Sequence, residues 1–128
     1  MATSIEPLWK RALDVPIDIE PTWLHGDVHP HNVLVHEGRI SGVIDWGDLC
    51  KGDRASDLAA VWMLIGSAST REQTLRLCGD LSEATWERAQ GWAIFYGVIF
   101  TASGLAGDAR HAAMGRLIFE RVIEGPIQ

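Results

Sequence analysis

With 128 residues, 47% of them hydrophobic and six of them tryptophan, the chain has material for one ordinary domain with a substantial core. Seventeen acidic residues against eleven basic ones give a net charge of −6, which repels a phosphate backbone and argues against nucleic acid as a partner. Cys50 and Cys78 form neither a CxxC pair nor a disulfide framework, and the first residues have no secretory pattern, so a cytoplasmic protein with reduced thiols is expected.

In chain order, Ile5, Leu8, Trp9, Ala12 and Leu13 recur at three- and four-residue spacing and predict an amphipathic helix over 4–15, with Pro7 in its first turn. An extended connector over 16–21 leads into a brief strand over 22–25, which Pro30 prevents from continuing. Residues 32–35 and 39–44, separated by Glu37-Gly38, predict a β-hairpin that serves as the core of this half. Because Asn32 begins one arm and Asp45 follows the other, an antiparallel return brings the two residues to the same end.

A loop rich in charge and glycine is expected after Asp45, then helices over 56–65, 70–78, 82–105 and 109–123. Thr70 with Gln73 resembles a capping box, Ser82 is a second N-cap, and Gly79 and Gly125 stand where helices stop. The uncharged stretch between Gln90 and Asp108 is near the lower length for a membrane span, but its glycines, serine and threonine favour a buried core helix and no membrane partner. The expected fold class is α+β, mainly helical, with about five helices.

The segment His25-Gly26-Asp27-Val28-His29-Pro30-His31-Asn32 and the later Ile44-Asp45-Trp46-Gly47 carry the chemistry. Phosphoryl transfer to an alcohol requires an aligned hydroxyl that loses its proton and a divalent cation on the phosphate oxygens. Asp27 suits the role of base, while Asn32 and Asp45 offer one neutral and one charged oxygen to Mg²⁺. Asp48 is a candidate for an additional contact. If Asp27, Asp45, Asp48, Asp53 and Asp57 converged they would repel one another, and a cation relieves that most simply. For Asp57 a capping or amide-binding role is expected, and for His25 a ring that fixes the loop through a backbone carbonyl.

His-Gly-Asp-x-His-Pro-x-Asn, Ile-Asp-Trp-Gly and Gly-Asp-Arg-x-x-Asp-Leu-Ala, in this order, resemble the aminoglycoside phosphotransferase and choline kinase family, relatives of protein kinases. The resemblance is strong from Trp23 to Ala60. It implies the C-terminal lobe of a protein-kinase-like fold, ATP as co-substrate, Asp27 as catalytic base, Asn32 and Asp45 as Mg²⁺ ligands, and His25 among the residues shaping the cofactor-binding loop. His31 departs from the small residue common at its position. No GxGxxG or GxxxxGK[ST] pattern occurs, and the only lysines are Lys10 and Lys51, so an N-terminal nucleotide lobe is expected to be absent. A small hydroxyl-bearing acceptor, a separately supplied lobe, and self-association through the uncovered docking face are the partners this implies.

Two other classes compete. His25, Asp27, His29 and His31 alternate, and on one continuous strand they would share a face as the ligands of a metal hydrolase do, although Pro30 opposes such a strand. An isolated lobe serving as a non-catalytic binding module or remnant is the other. Among the acidic residues of the helical half, Glu83, Glu87, Asp108 and Glu120 offer either attraction for a cationic acceptor or ordinary solvated faces, the latter being favoured.

Overall fold

The computed structural model describes residues 1–125. The architecture is α+β and mainly helical: α1 (Ala2–Asp14), β1 (Thr22–Leu24), a 3₁₀ turn (Pro30–Asn32), β2 (Val33–His36), β3 (Arg39–Val43), β4 (Cys50–Gly52), α2 (Ala55–Leu58), α3 (Ala60–Leu64), α4 (Ala68–Leu77), α5 (Glu83–Leu105) and α6 (Ala109–Ile123). Ala59, between α2 and α3, keeps helical dihedrals, so these two form one bent helical stretch.

Helix α5 is apolar on nearly every side and accordingly lies in the middle, with α1, α2 and α6 packed around it. No helix among the described residues is long and apolar enough to cross a membrane. The core runs through Ala55, Ala59, Trp62, Leu75, Ala93, Ile94, Ile118 and Val122, and Ile5, Leu8 and Trp9 of α1 lean against it. Helices α5 and α6 approach so closely that a Cβ added at Gly104 would stand 2.5 Å from the Cβ of Ala112, and only glycine admits that spacing.

Several expectations change here. The hairpin is not a core: Leu34, Val35, Ile40, Val43 and Ile44 are all exposed, and the buried cluster belongs to the helices. Helix α1 begins at Ala2, which moves Pro7 from the first turn into the helix interior, where it lacks an N–H to give to the preceding turn. Helix α4 begins earlier than its Thr70 suggests, because Ser67 accepts the Thr70 amide and is the true N-cap. Ser82 does cap α5, through the Thr85 amide at 3.0 Å.

The hairpin pairs Val33 with Val43 and His36 with Arg39, with an irregularity between Leu34 and Val35 that absorbs one extra residue of β3. Its turn residues Glu37 and Gly38 both have positive φ, the conformation of a two-residue turn whose twist suits the strands. Beyond the hairpin, the segment expected to be all loop contains β4, which pairs antiparallel with β1 from Thr22–Gly52 to Leu24–Cys50. Cys50-Lys51-Gly52 has no strand-like composition, so this pairing follows from tertiary position.

Candidate active site

Pairing of β1 with β4 brings the chain leaving Leu24 alongside the start of α2. There Asp57, in the first turn of α2, accepts the amides of His25 at 2.7 Å and Gly26 at 3.0 Å. One carboxylate thus satisfies two successive N–H groups of a tight loop, the role expected of it. Gly26 has φ +86° and passes so near the 48th residue that a Cβ would meet the Asp48 carbonyl oxygen at 2.7 Å. Both the left-handed dihedral and the lack of space demand glycine.

His25 is buried, and its ring joins two segments. Nδ1 accepts the Asp27 amide at 3.1 Å and Nε2 lies 2.8 Å from the Ile44 carbonyl oxygen. An Nδ1 that accepts carries no proton, so the Nε2–H donates to Ile44, one residue before Asp45. Trp46 packs edge-on against the same ring at 4.5 Å. The imidazole therefore ties the backbone that carries Asp27 to the backbone that carries Asp45.

Asn32 is nearly as buried. Its Nδ2 donates to the Asp27 carbonyl at 2.9 Å and to Asp27 Oδ2 at 3.2 Å. Its own carbonyl oxygen accepts the Ile44 amide at 2.9 Å, extending the hairpin ladder to the residue before Asp45. Asp27 and Asn32 are therefore in direct side-chain contact. Asp45 is joined to them through the backbone neighbour Ile44, has φ +60°, and is exposed.

His29 completes the cluster. Its Nδ1 takes the His31 amide at 3.2 Å, so the neutral ring holds its proton on Nε2, which stands 3.4 Å from Asp27 Oδ1. Burial pushes this imidazole below the usual value near 6.5, against the opposing pull of Asp27. The ring is accordingly neutral at pH 7.

The alternating His25, Asp27, His29 and His31 do not lie on one strand: β1 ends at Leu24 and a 3₁₀ turn begins at Pro30. Among the described residues no three His, Cys, Asp or Glu side chains form a cluster suited to a metal. A His-ligated hydrolase centre thus has no geometric basis in these residues.

Convergence of five carboxylates is likewise not observed. Asp57 is satisfied by backbone amides, and Asp53 forms a two-point ion pair with Arg88, Nε to Oδ2 at 2.7 Å and Nη2 to Oδ1 at 3.2 Å. Arg88 is buried and also reaches Asp18 and the Pro16 carbonyl, while Asp53 accepts the Ala55 amide at the start of α2. Its guanidinium is held above the usual arginine range, chiefly by Asp53. The pair fastens the loop before α2 to α5. A charged residue among Trp86, Ala89 and Trp92 on an apolar helix is the sequence signal for it, since such a charge needs a buried partner.

Beside Asp27 opens a pocket of about 240 Å³, walled by Val28, His29, Met63, Tyr96, Ile99, Phe100 and His111. Burial, and after it the nearby Asp57, Asp27 and Asp48, push the Tyr96 phenol above its ordinary value, so it is a proton-bearing donor at neutral pH. Tyr96 and His111 come from α5 and α6 and belong to no local motif.

The family model described as the phosphotransferase enzyme family matches residues 3–92. An aminoglycoside 3'-phosphotransferase of Escherichia coli is 33% identical over 66 residues, covering 51% of this chain and 24% of that protein; one of Salmonella typhimurium matches to the same extent. An uncharacterized protein of Bacillus subtilis, YcbJ, is 33% identical over 48 residues, covering 37% of this chain and 16% of its own length. No solved structure matches the chain significantly. The chain belongs to the phosphotransferase enzyme family, and it spans about a quarter, 24%, of the length of the first two relatives.

Proposed function

We propose that these residues form the catalytic lobe of an ATP-dependent small-molecule O-phosphotransferase, acting in the cytoplasm together with a nucleotide-binding lobe. The observation that carries this reading is the side-chain contact of Asp27 with Asn32, with Asp45 one residue beyond the Ile44 amide bonded to Asn32. Family membership supports the reaction class.

The donor set fits Mg²⁺. Asn32 spends its Nδ2 on Asp27, which leaves Oδ1 as the carboxamide atom for a hard cation, and Asp45 adds an anionic oxygen. Asn32 and Asp45 would hold a Mg²⁺ ion there, which when bound would supply positive charge to the phosphoryl oxygens. Asp27 is the base: Asn32 holds Oδ2, Oδ1 faces the His29 ring at 3.4 Å, and since a carboxylate has about four lone-pair sites, room remains for an acceptor hydroxyl. The hydroxyl donates its proton to Asp27 as its oxygen bonds to the γ-phosphorus of ATP and the bond to the bridging oxygen breaks, giving a phosphate ester and ADP. His25 is a positioning residue that fixes the spacing of the two backbone segments.

Asp27→Asn in the complete enzyme is expected to lower turnover by about 10²- to 10⁴-fold. ATP affinity, measured by calorimetry, should change little. Retention of most of the turnover would remove Asp27 from the role of base.

A further inference from the structure

The pocket beside Asp27 points to the acceptor class: we infer that it takes a hydroxyl carried on an uncharged, ring-sized apolar skeleton and rejects polycations. This rests on the phosphotransferase reading of the same site. Its apolar walls are Val28, Met63, Ile99 and Phe100, its uncharged polar ones include Tyr96, with the rings of His29 and His111 beside it, and Asp27 is the single carboxylate among the residues lining it. A polycation needs several carboxylates to replace the water it loses on entry, and an ammonium group without one would be buried unpaired.

The acidic residues of the helical half do not supply them. Glu87 faces Arg11 at 3.6 Å, and Glu120 bonds Arg116 at 2.9 Å. Asp108 accepts the amides of Arg110 and His111 on Oδ1 at the start of α6, and its Oδ2 stands 3.5 Å from the His111 ring, which lines the pocket where Asp108 does not. Glu83 begins α5, thirteen residues before Tyr96, about 20 Å along the helix at the usual rise.

Aromatic rings alone can hold a quaternary ammonium, but Phe100 is already engaged edge-to-face by His29 at 5.9 Å and His111 at 5.1 Å. The volume of about 240 Å³ lies below the roughly 300–1,000 Å³ of sites for drug-sized ligands, which suits one ring and not a multi-ring aminoglycoside. Tyr96 provides a phenol that orients the polar end of such an acceptor near Asp27.

The test is a titration of the isotope-labelled 128-residue chain with 2-phenylethanol, choline and kanamycin at equal concentrations, read by NMR at the methyls of Val28, Met63 and Ile99. The alcohol should shift these methyls while choline and kanamycin leave them in place. Ile99 is 45% exposed, so Ile99→Glu should preserve the spectral fingerprint elsewhere while weakening the alcohol about tenfold and admitting choline, whose single ammonium the added carboxylate pairs, with kanamycin still excluded by size. Larger shifts from kanamycin or choline than from the alcohol, or none from the alcohol, would overturn the inference. A parallel Mn²⁺ titration read at Asn32 and Asp45 separates the two claims: its failure removes the phosphotransferase reading, while the methyl shifts still report what the pocket prefers.

Discussion

The helical body and the loop that carries Asp27 are held by different forces. Around Ile118, Val122, Leu75 and Ala93 the chain excludes water almost completely, and stability comes from apolar burial and close helix contact. Between His25 and Asp45 very little apolar surface is buried, and the geometry is fixed by hydrogen bonds from a few polar side chains: Asp57 to two amides, the His25 ring to two backbone segments, and Asn32 to Asp27. Apolar packing is tolerant of shape and non-directional, whereas hydrogen bonds fix direction and distance. The site proposed here to align a base with cation ligands is accordingly built from the second kind and mounted on the first.

The largest expected contrast comes from equal truncations in the two regions. Ile118→Ala, in the fully buried core, should cost about 2–5 kcal/mol in urea denaturation, whereas Ile40→Ala, on the exposed hairpin, should stay within about 0.5 kcal/mol. Comparable losses would mean that the hairpin packs on something the described residues do not include.

A smaller effect with a sharper functional signature is expected from His25→Phe. The ring can be replaced in shape, but the Asp27 amide and the Ile44 carbonyl lose their partner, at about 1–3 kcal/mol. Hydrogen exchange should quicken at Asp27 and its neighbours before it quickens in α5. Uniform acceleration across both regions would make His25 a general stabiliser instead of a tie within the loop.

The smallest effect concerns pH. His29 binds a proton less readily in the folded chain than in the unfolded one, so its contribution is fully present above the unfolded value near 6.5 and declines as pH falls from there through the depressed folded value. The loss should be confined to amides near His29 and Asp27 and be absent from His29→Phe. Stability that instead rises on mild acidification would reverse the sign assigned to this group.

Much of this division was legible in the sequence, for local reasons. Helix α6 shows a clear apolar stripe and Asp108 at its start, and Gly38 marks the hairpin turn by tolerating positive φ, which Glu37 also adopts there. Asp57 and the ring of His25 could be given structural roles because short loops leave amides and carbonyls that need partners. The missed features are non-local. Strand β4 exists because β1 lies beside it, and the Arg88 pair links positions 35 residues apart. Tyr96 and His111 reach the pocket only after α5 and α6 have packed. Hydrophobic letters in the hairpin misled in the opposite direction: they indicated strands correctly but not burial, since alternation says which residues share a face and nothing of what covers that face.

Whether Asp27, Asn32 and Asp45 surround one cation is tested most directly by paramagnetic titration. With Mn²⁺ standing in for Mg²⁺, the Asn32 side-chain amide and the Asp45 backbone amide should broaden together, ahead of all signals from α4, and Asn32→Ala should abolish the response at Asp45. Broadening at Asp45 and Asp48 alone, unchanged by Asn32→Ala, would show an exposed acidic loop collecting cations and would contradict a shared site.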